Sequence, residues 1–148
     1  MLEHGGALRT AVAHYGLPLG DWLDLSTGIN PHGWPAPPMM PPTVWQRLPE
    51  PDDELEAAAT AYYGTPHLLP VAGSQAAIQA LPSLRETGRV GVLNPSYAEH
   101  AHAWRRAGHQ MELLAANELD AALDRFDGLV VVNPNNPTGV RFPSATLL

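Results

Sequence analysis

Apolar Leu8, Val12 and Tyr15 recur at helical spacing through GALRTAVAHY, residues 6–15, and Gly16 follows where a glycine commonly closes a helix. A short helix is predicted there. The stretch DWLDLSTGINPHGWPAPPMMPP over 21–42 opens apolar and then fills with glycine and proline, whose missing N–H and fixed φ allow no long element. It reads as an extended arm. Pro51 followed by Asp52, Asp53 and Glu54 sets proline and acids in a first turn, which predicts a helix running through Ala57 and Ala61 to Gly64.

From residue 66 onward the rhythm becomes strand, helix, strand. HLLPVAG (67–73) reads as a first strand and QAAIQALPSL (75–84) as a helix that Pro82 kinks or ends. RVGVLNP (89–95) is a second strand. In SYAEHAHAWRRAG (96–108) Ser96 and Glu99 stand in the S-x-x-E relation of a capping box, and Gly108 ends the helix. HQMELLAA (109–116) is a third strand, Asn117 is the predicted cap of NELDAALDRF (117–126), and GLVVVN (128–133) is a fourth strand. Four strands separated by three helical segments predict an α/β domain with a largely parallel sheet and helices on both faces. Ser144 opens SATLL, which stops within its first turns, so the expected domain is truncated, with one sheet face uncovered.

Bulk composition narrows the class. A chain of 148 residues, 45% hydrophobic, suffices for one compact core, and its 16 prolines and 13 glycines sit between periodic segments instead of forming a low-complexity tract. The net charge of -7 argues against a nucleic-acid or anionic-membrane surface, both of which require clustered basic residues. There is no cysteine, so a disulfide framework and a thiolate metal site are excluded. The seven histidines include no His-x-x-x-His pair, so no metal site is expected. MLEHGGALRT lacks an apolar leader and no window approaches a membrane span, making a cytoplasmic protein the expectation. All eight basic residues are arginine; the chain contains no lysine.

In parallel sheets of this kind ligands bind beyond the carboxyl ends of the strands, which directs attention to the residues there. Gly73-Ser74-Gln75 would present helix N-terminal N–H groups and a hydroxyl to an anion such as a phosphate. Asn94-Pro95-Ser96-Tyr97 would present an aromatic ring from a proline-set turn. Asn133 to Gly139, read NPNNPTG, would aim side-chain amides into the same crevice. Each signal is ordinary alone: Gly-Ser before a helix is commonly an N-cap, and proline with asparagine after a strand is commonly a turn. Their placement on successive strand ends is what suits a planar, phosphorylated, aromatic ligand.

NPNNPTG resembles the signature of the class I/II aminotransferases, pyridoxal-phosphate enzymes of fold type I. The block His4-Gly5-Gly6, the segment Asp24 to Pro31 (DLSTGINP), Leu48-Pro49-Glu50 and Ala72 to Ile78 (AGSQAAI) resemble one branch of that family, the threonine-phosphate decarboxylases of cobalamin biosynthesis. The resemblance implies an arm over 1–48 followed, over 49–148, by the first part of a pyridoxal-phosphate-binding large domain. It implies that Gly73, Ser74 and Gln75 hold the cofactor phosphate, that Tyr97 stacks on the pyridine ring, and that Asn136 hydrogen-bonds the cofactor's 3-hydroxyl, with a cis bond to Pro137. It places His4, Gly28 and Asn30 over the substrate's carboxylate and phosphate. Leu48 departs from relatives with tyrosine at that position, which reaches toward the cofactor of a partner subunit.

The family attaches its cofactor through a lysine. With no lysine in 148 residues, no catalytic residue is assigned, and the expectation is an inactive N-terminal piece of a decarboxylase that is homodimeric at full length. Two other readings stand beside it: a piece of a histidinol-phosphate-type aminotransferase, and a non-catalytic α/β module that binds a phosphorylated ligand.

Overall fold

The computed structural model describes residues 5–48, 50 and 54–147. The chain divides into two compact units, Met1–Asp53 and Glu54–Leu148. In the first unit, helix α1 (Leu8–Tyr15) ends at Gly16, whose N–H donates to the Val12 carbonyl at 2.9 Å. Short 3-10 turns over Leu19–Asp21 and Pro42–Trp45 are the other regular elements described. None of its described residues is buried. Local polar contacts hold it instead. Ser26 Oγ accepts the Gly6 N–H at 2.8 Å and donates to Asp24 Oδ1 at 2.6 Å.

The second unit begins with helix α2 (Leu55–Tyr63), closed by Gly64. The expected strand over 67–73 does not form. Pro70 lies inside that run and has no N–H to give to a ladder, and Leu69 stays 81% exposed. Helix α3 (Gly73–Ala80) follows, and Pro82 converts its continuation into a 3-10 turn over Leu81–Leu84. Strand β1 (Arg89–Leu93), helix α4 (Ala98–Arg106) and strand β2 (Gln110–Leu114) come next. A broken helical stretch then contains α5 (Leu119–Ala122), followed by strand β3 (Gly128–Val130) and helix α6 (Ser144–Leu147).

The described sheet therefore has three strands where four were expected. Its order is β2-β1-β3, all parallel, with Gly91 opposite Glu112 on one side and Leu129 on the other. Central strand β1 carries fully buried Val90 and Val92. Side chains alternate across a strand, so Gly91 and Leu93 lie on the opposite face from these valines. On that face Leu93 and Leu114 pack with Leu119 and Ala122 of α5, bordered by Phe126, Leu129, Val131 and Phe142. Burying each such Leu or Val side chain contributes about 1.5–3 kcal/mol, which makes this seam the unit's main stabilising feature.

Polar clasps position the strand starts. His109 is buried; its Nδ1 accepts the Gly88 N–H at 3.2 Å while Nε2 meets the Pro82 carbonyl at 2.9 Å. A carbonyl can only accept, so the ring is neutral with its proton on Nε2. One side chain thus ties the end of the α3 segment to the starts of β1 and β2. Asp127 Oδ2 accepts the Arg89 N–H at 2.8 Å, and the Arg85 guanidinium donates to the Asp127 carbonyl at 2.8 Å.

Two expected caps are not made. Tyr97, not Ser96, is the N-cap of α4, and Ser96 Oγ is buried without a hydrogen-bond partner. The Glu99 carboxylate that would complete the box accepts side-chain amides from α3 instead. Asn117 lies inside the 3-10 turn Ala116–Glu118, and Glu118 Oε2 takes the Ala115 N–H at 2.7 Å. The longer, charged side chain reaches back to the donor that ends the strand.

Candidate functional site

Three segments at the carboxyl side of the sheet hold the second unit's candidate residues. Gly73, Ser74 and Gln75 form the first turn of α3. Gly73 adopts φ +79°, a left-handed backbone that glycine takes at least cost, with its N–H on the Val71 carbonyl at 2.7 Å. This sharp entry turns the chain into the helix, and Ala72 at the N-cap offers no side-chain acceptor. Beyond Gly73, whose N–H is spent on Val71, the Ser74 and Gln75 N–H groups have no side-chain cap and face an outside anion or solvent, with the positive end of the helix behind them. The strand expected immediately before this turn is not formed.

Tyr97 stands at the junction of the 94–97 turn with α4, half-buried, its ring edge-on to His100 with centroids 6.1 Å apart. Burial lowers the His100 pKa below the usual imidazole range. The turn continues β1, because the Asn94 N–H still donates to the Leu114 carbonyl at 2.8 Å, and its Asn94–Pro95 bond is cis.

The asparagine-rich loop assigns a different task to each amide. Asn133 bonds both ways with the backbone of Phe142, donating from Nδ2 at 3.0 Å and accepting at Oδ1 at 3.0 Å, which closes the base of the loop. Asn135 is buried; its Nδ2 donates to the Pro95 carbonyl at 2.8 Å and to Thr138 Oγ1 at 2.7 Å. The Asn135 carbonyl accepts from Gly139, whose φ of +71° lets the chain double back. Asn136 alone of the three side chains is left exposed with no bond holding it inward. The expectation that the asparagines together aim into the crevice is corrected: two are internal pins and one is presented. The Asn136–Pro137 bond is cis, as expected, and so is Asn133–Pro134.

Hydrogen bonds link these segments through one turn. Asn135 ties the loop to Pro95, and Glu99 Oε2 accepts from Gln75 Nε2 at 3.0 Å and Gln79 Nε2 at 3.1 Å. The stretch 95–99 is therefore the hub joining the cradle, the ring and the presented amide. Sequence reasoning missed Asn135 and the tie from Glu99 to α3. A usable signal existed for the latter, since Gln75 and Gln79 are one turn apart on the same helix face. A cavity of about 200 Å³ lies beside Asn135, lined by Leu93, Pro95, Thr138 and Phe142 among others, but Tyr97 and Asn136 do not line it. It is smaller than ligand sites usually are and borders the Asn135–Pro95 link without reaching the ring or the presented amide.

The remaining expected residues belong to the first unit. His4 lies outside the described residues. Gly28 is exposed, and Asn30 is folded into its own turn, its Oδ1 accepting the His32 N–H at 2.9 Å. Asp24 has its pKa lowered by the hydrogen bond from the Ser26 hydroxyl and then by the one from the Ser26 backbone. Among the described residues no group of three or more His, Asp or Glu side chains is placed to hold a metal ion, and no helix is long and apolar enough to cross a membrane.

Known proteins place this arrangement in context. Threonine-phosphate decarboxylase of Pseudomonas aeruginosa is 62% identical over 149 aligned positions, covering 100% of this chain and 44% of that protein. Threonine-phosphate decarboxylase of a Sinorhizobium species is 43% identical, covering 99% of this chain and 45% of that protein. The chain thus spans less than half the length of the curated relatives it matches. The crystal structure of L-threonine-O-3-phosphate decarboxylase from Porphyromonas gingivalis superposes with a TM-score of 0.62 at 25% identity, over 69% of this chain and 34% of that one. Residues 21–148 match the family described as aminotransferase class I and II. The family match over 21–148 and the relatives above show that the chain belongs to the aminotransferase class I and II family.

Proposed function

We propose that this chain forms the cofactor-cradling half of a pyridoxal 5'-phosphate-dependent decarboxylase acting on L-threonine O-3-phosphate, and that the product, (R)-1-amino-2-propanol phosphate, serves cobalamin biosynthesis. The observation that carries this reading is 62% identity, along the whole chain, to a protein named threonine-phosphate decarboxylase. The residues present fit the cofactor. The first turn of α3, which has no side-chain cap, suits a phosphate dianion, and Asn136 is exposed while Asn133 and Asn135 are held by internal hydrogen bonds.

In this reading the turn Gly73-Ser74-Gln75 holds the phosphate, the Ser74 and Gln75 N–H groups donating to it and the left-handed Gly73 shaping the approach, while Tyr97 covers one face of the pyridine ring and the Asn136 amide donates to the ring's 3-hydroxyl. Bound, the cofactor supplies a protonated ring that draws electrons from the substrate's α-carbon when carboxylate leaves. The chain's own part is orientation: three anchor points, braced by the 95–99 hub, fix the plane and roll of the ring. His4, Gly28 and Asn30 of the first unit are proposed to contact the substrate's carboxylate and phosphate. The working enzyme is proposed to be a cytoplasmic homodimer, with the anchoring amine supplied from outside these 148 residues, which contain no lysine.

Titration of the purified chain with pyridoxal 5'-phosphate tests the reading. Reversible binding is expected, with inorganic phosphate competing and Asn136→Ala weakening it roughly tenfold. After borohydride reduction, mass spectrometry should find modification only at the N-terminal amine. Binding indifferent to both phosphate and Asn136→Ala would overturn the assignment of the site.

A further inference from the structure

The Glu99 carboxylate is placed to do more than start a helix. A single oxygen, Oε2, accepts amide N–H groups from Gln75 and Gln79, successive positions on one face of α3. At the far end of α4, Arg106 donates to Gln79 Oε1 at 2.6 Å. A continuous chain of polar contacts, Arg106 to Gln79 to Glu99 and back to Gln75, grips α3 from both ends of α4. Gln75 belongs to the turn proposed to hold phosphate, and Glu99 lies two residues beyond Tyr97.

We propose that Glu99 is a positioning residue that sets the spacing between the phosphate-holding turn of α3 and the Tyr97 ring. The inference rests on the cofactor reading above. Charge-assisted hydrogen bonds to a carboxylate are about twice as strong as neutral ones, so the tie to Gln75 is stiff for an exposed contact. The same charge is favourable in the first turn of α4. A rigid ligand whose phosphate and ring must be met together depends on that spacing. A ligand that meets only the ring does not.

That difference supplies the test. Pyridoxine 5'-phosphate and pyridoxine carry no aldehyde, so neither reacts with an amine, and they differ only in the phosphate. Each is titrated into the purified chain and its variants. Glu99→Ala should weaken pyridoxine 5'-phosphate roughly tenfold and leave pyridoxine within about twofold. Glu99→Gln retains an acceptor oxygen and should recover most of the loss. Gln75→Ala should weaken the same ligand in the same direction, and the double variant should bind no worse than Glu99→Ala alone, because Glu99→Ala already removes the Gln75 tie. Equal weakening of both ligands by Glu99→Ala would reduce Glu99 to a helix brace and overturn the proposal, as would no change in either. Should Glu99→Ala fail to fold, Gln75→Ala decides by the same comparison of ligands. A wild-type chain that binds neither ligand overturns the cofactor reading and this inference with it; a wild-type chain that binds, with Gln75→Ala and Glu99→Ala unaltered, overturns this inference alone.

Discussion

The Asn135 side chain donates from Nδ2 to the carbonyl of Pro95 at 2.8 Å, joining two turns 40 positions apart. Its neighbour Asn136 is exposed. Two adjacent and chemically identical side chains are therefore treated oppositely, one buried and bonded inward, the other exposed.

That division predicts opposite responses to truncation. Asn135→Ala takes the side-chain donor from the Pro95 carbonyl, leaves Thr138 Oγ1 with the Val140 N–H, and should destabilise the second unit by about 1–3 kcal/mol in urea denaturation. Asn136→Ala removes no internal bond and should stay within about 0.5 kcal/mol of wild type while weakening pyridoxal 5'-phosphate. If the two variants unfold at the same urea concentration, the pinning role of Asn135 is wrong.

His109 offers a test of shape against hydrogen bonding. Phenylalanine at this position keeps a ring against Trp104, whose centroid is 4.6 Å away, but satisfies neither the Gly88 N–H nor the Pro82 carbonyl. His109→Phe should cost about 2–4 kcal/mol, the sum expected for two backbone groups stranded in a buried place. A smaller loss than for His109→Ala is expected, since the cavity is avoided. Stability equal to wild type would mean that packing, not the clasp, sets the need for histidine.

How much of this was legible in the sequence differs by the range of the interaction. Helices α1 and α2 and the three parallel strands follow from apolar period and glycine stops, which are local properties. The strand over 67–73 was misread because its apolar run outweighed Pro70, whose missing N–H bars it from a ladder. The capping roles of Ser96 and Asn117 were misread for another reason. A carboxylate goes to the donors that tertiary structure brings near, and for Glu99 those are Gln75 and Gln79, 24 and 20 residues away. Likewise, three asparagines in NPNNPTG announce a polar loop, but only packing against Pro95 and Phe142 decides which are pins. The turns after β1 and β3 were readable as loops because topology places loops at strand ends.

Gly91 predicts a packing limit on the central strand. A Cβ built there would lie 2.6 Å from Leu129 Cδ2, 2.7 Å from Leu114 Cδ1 and 3.2 Å from Phe126 Cδ2. Leu114 is itself fully buried and cannot swing away without opening the seam beneath α5. Gly91→Ala should therefore destabilise the unit by about 1–3 kcal/mol despite the better strand propensity of alanine. Gly91→Ala combined with Leu114→Val, which removes the crowding methyl, should recover part of that loss. Unfolding midpoints of the four proteins form a double-mutant cycle, and a coupling of zero would show that the crowding is relieved elsewhere.

His100 predicts a pH dependence with a definite sign. Burial holds its pKa below the usual value, so the folded ring stays neutral at a pH where the same histidine in the unfolded chain, titrating near about 6.5, has begun to take up a proton. Between that value and the lower folded one the unfolded state binds more protons, and stability rises with pH. The contribution is fully present above about pH 6.5 and is lost as the pH falls through the folded pKa, below which the slope levels because both states are charged. Replacing the ring by a group that does not titrate removes this component alone, so the stability of wild type relative to His100→Gln, read from urea midpoints, should fall on acidification from pH 7.5 toward pH 5. Parallel curves would show that the ring is solvated enough to titrate as it does in the unfolded chain, and that the edge-on contact with Tyr97 leaves it open to water.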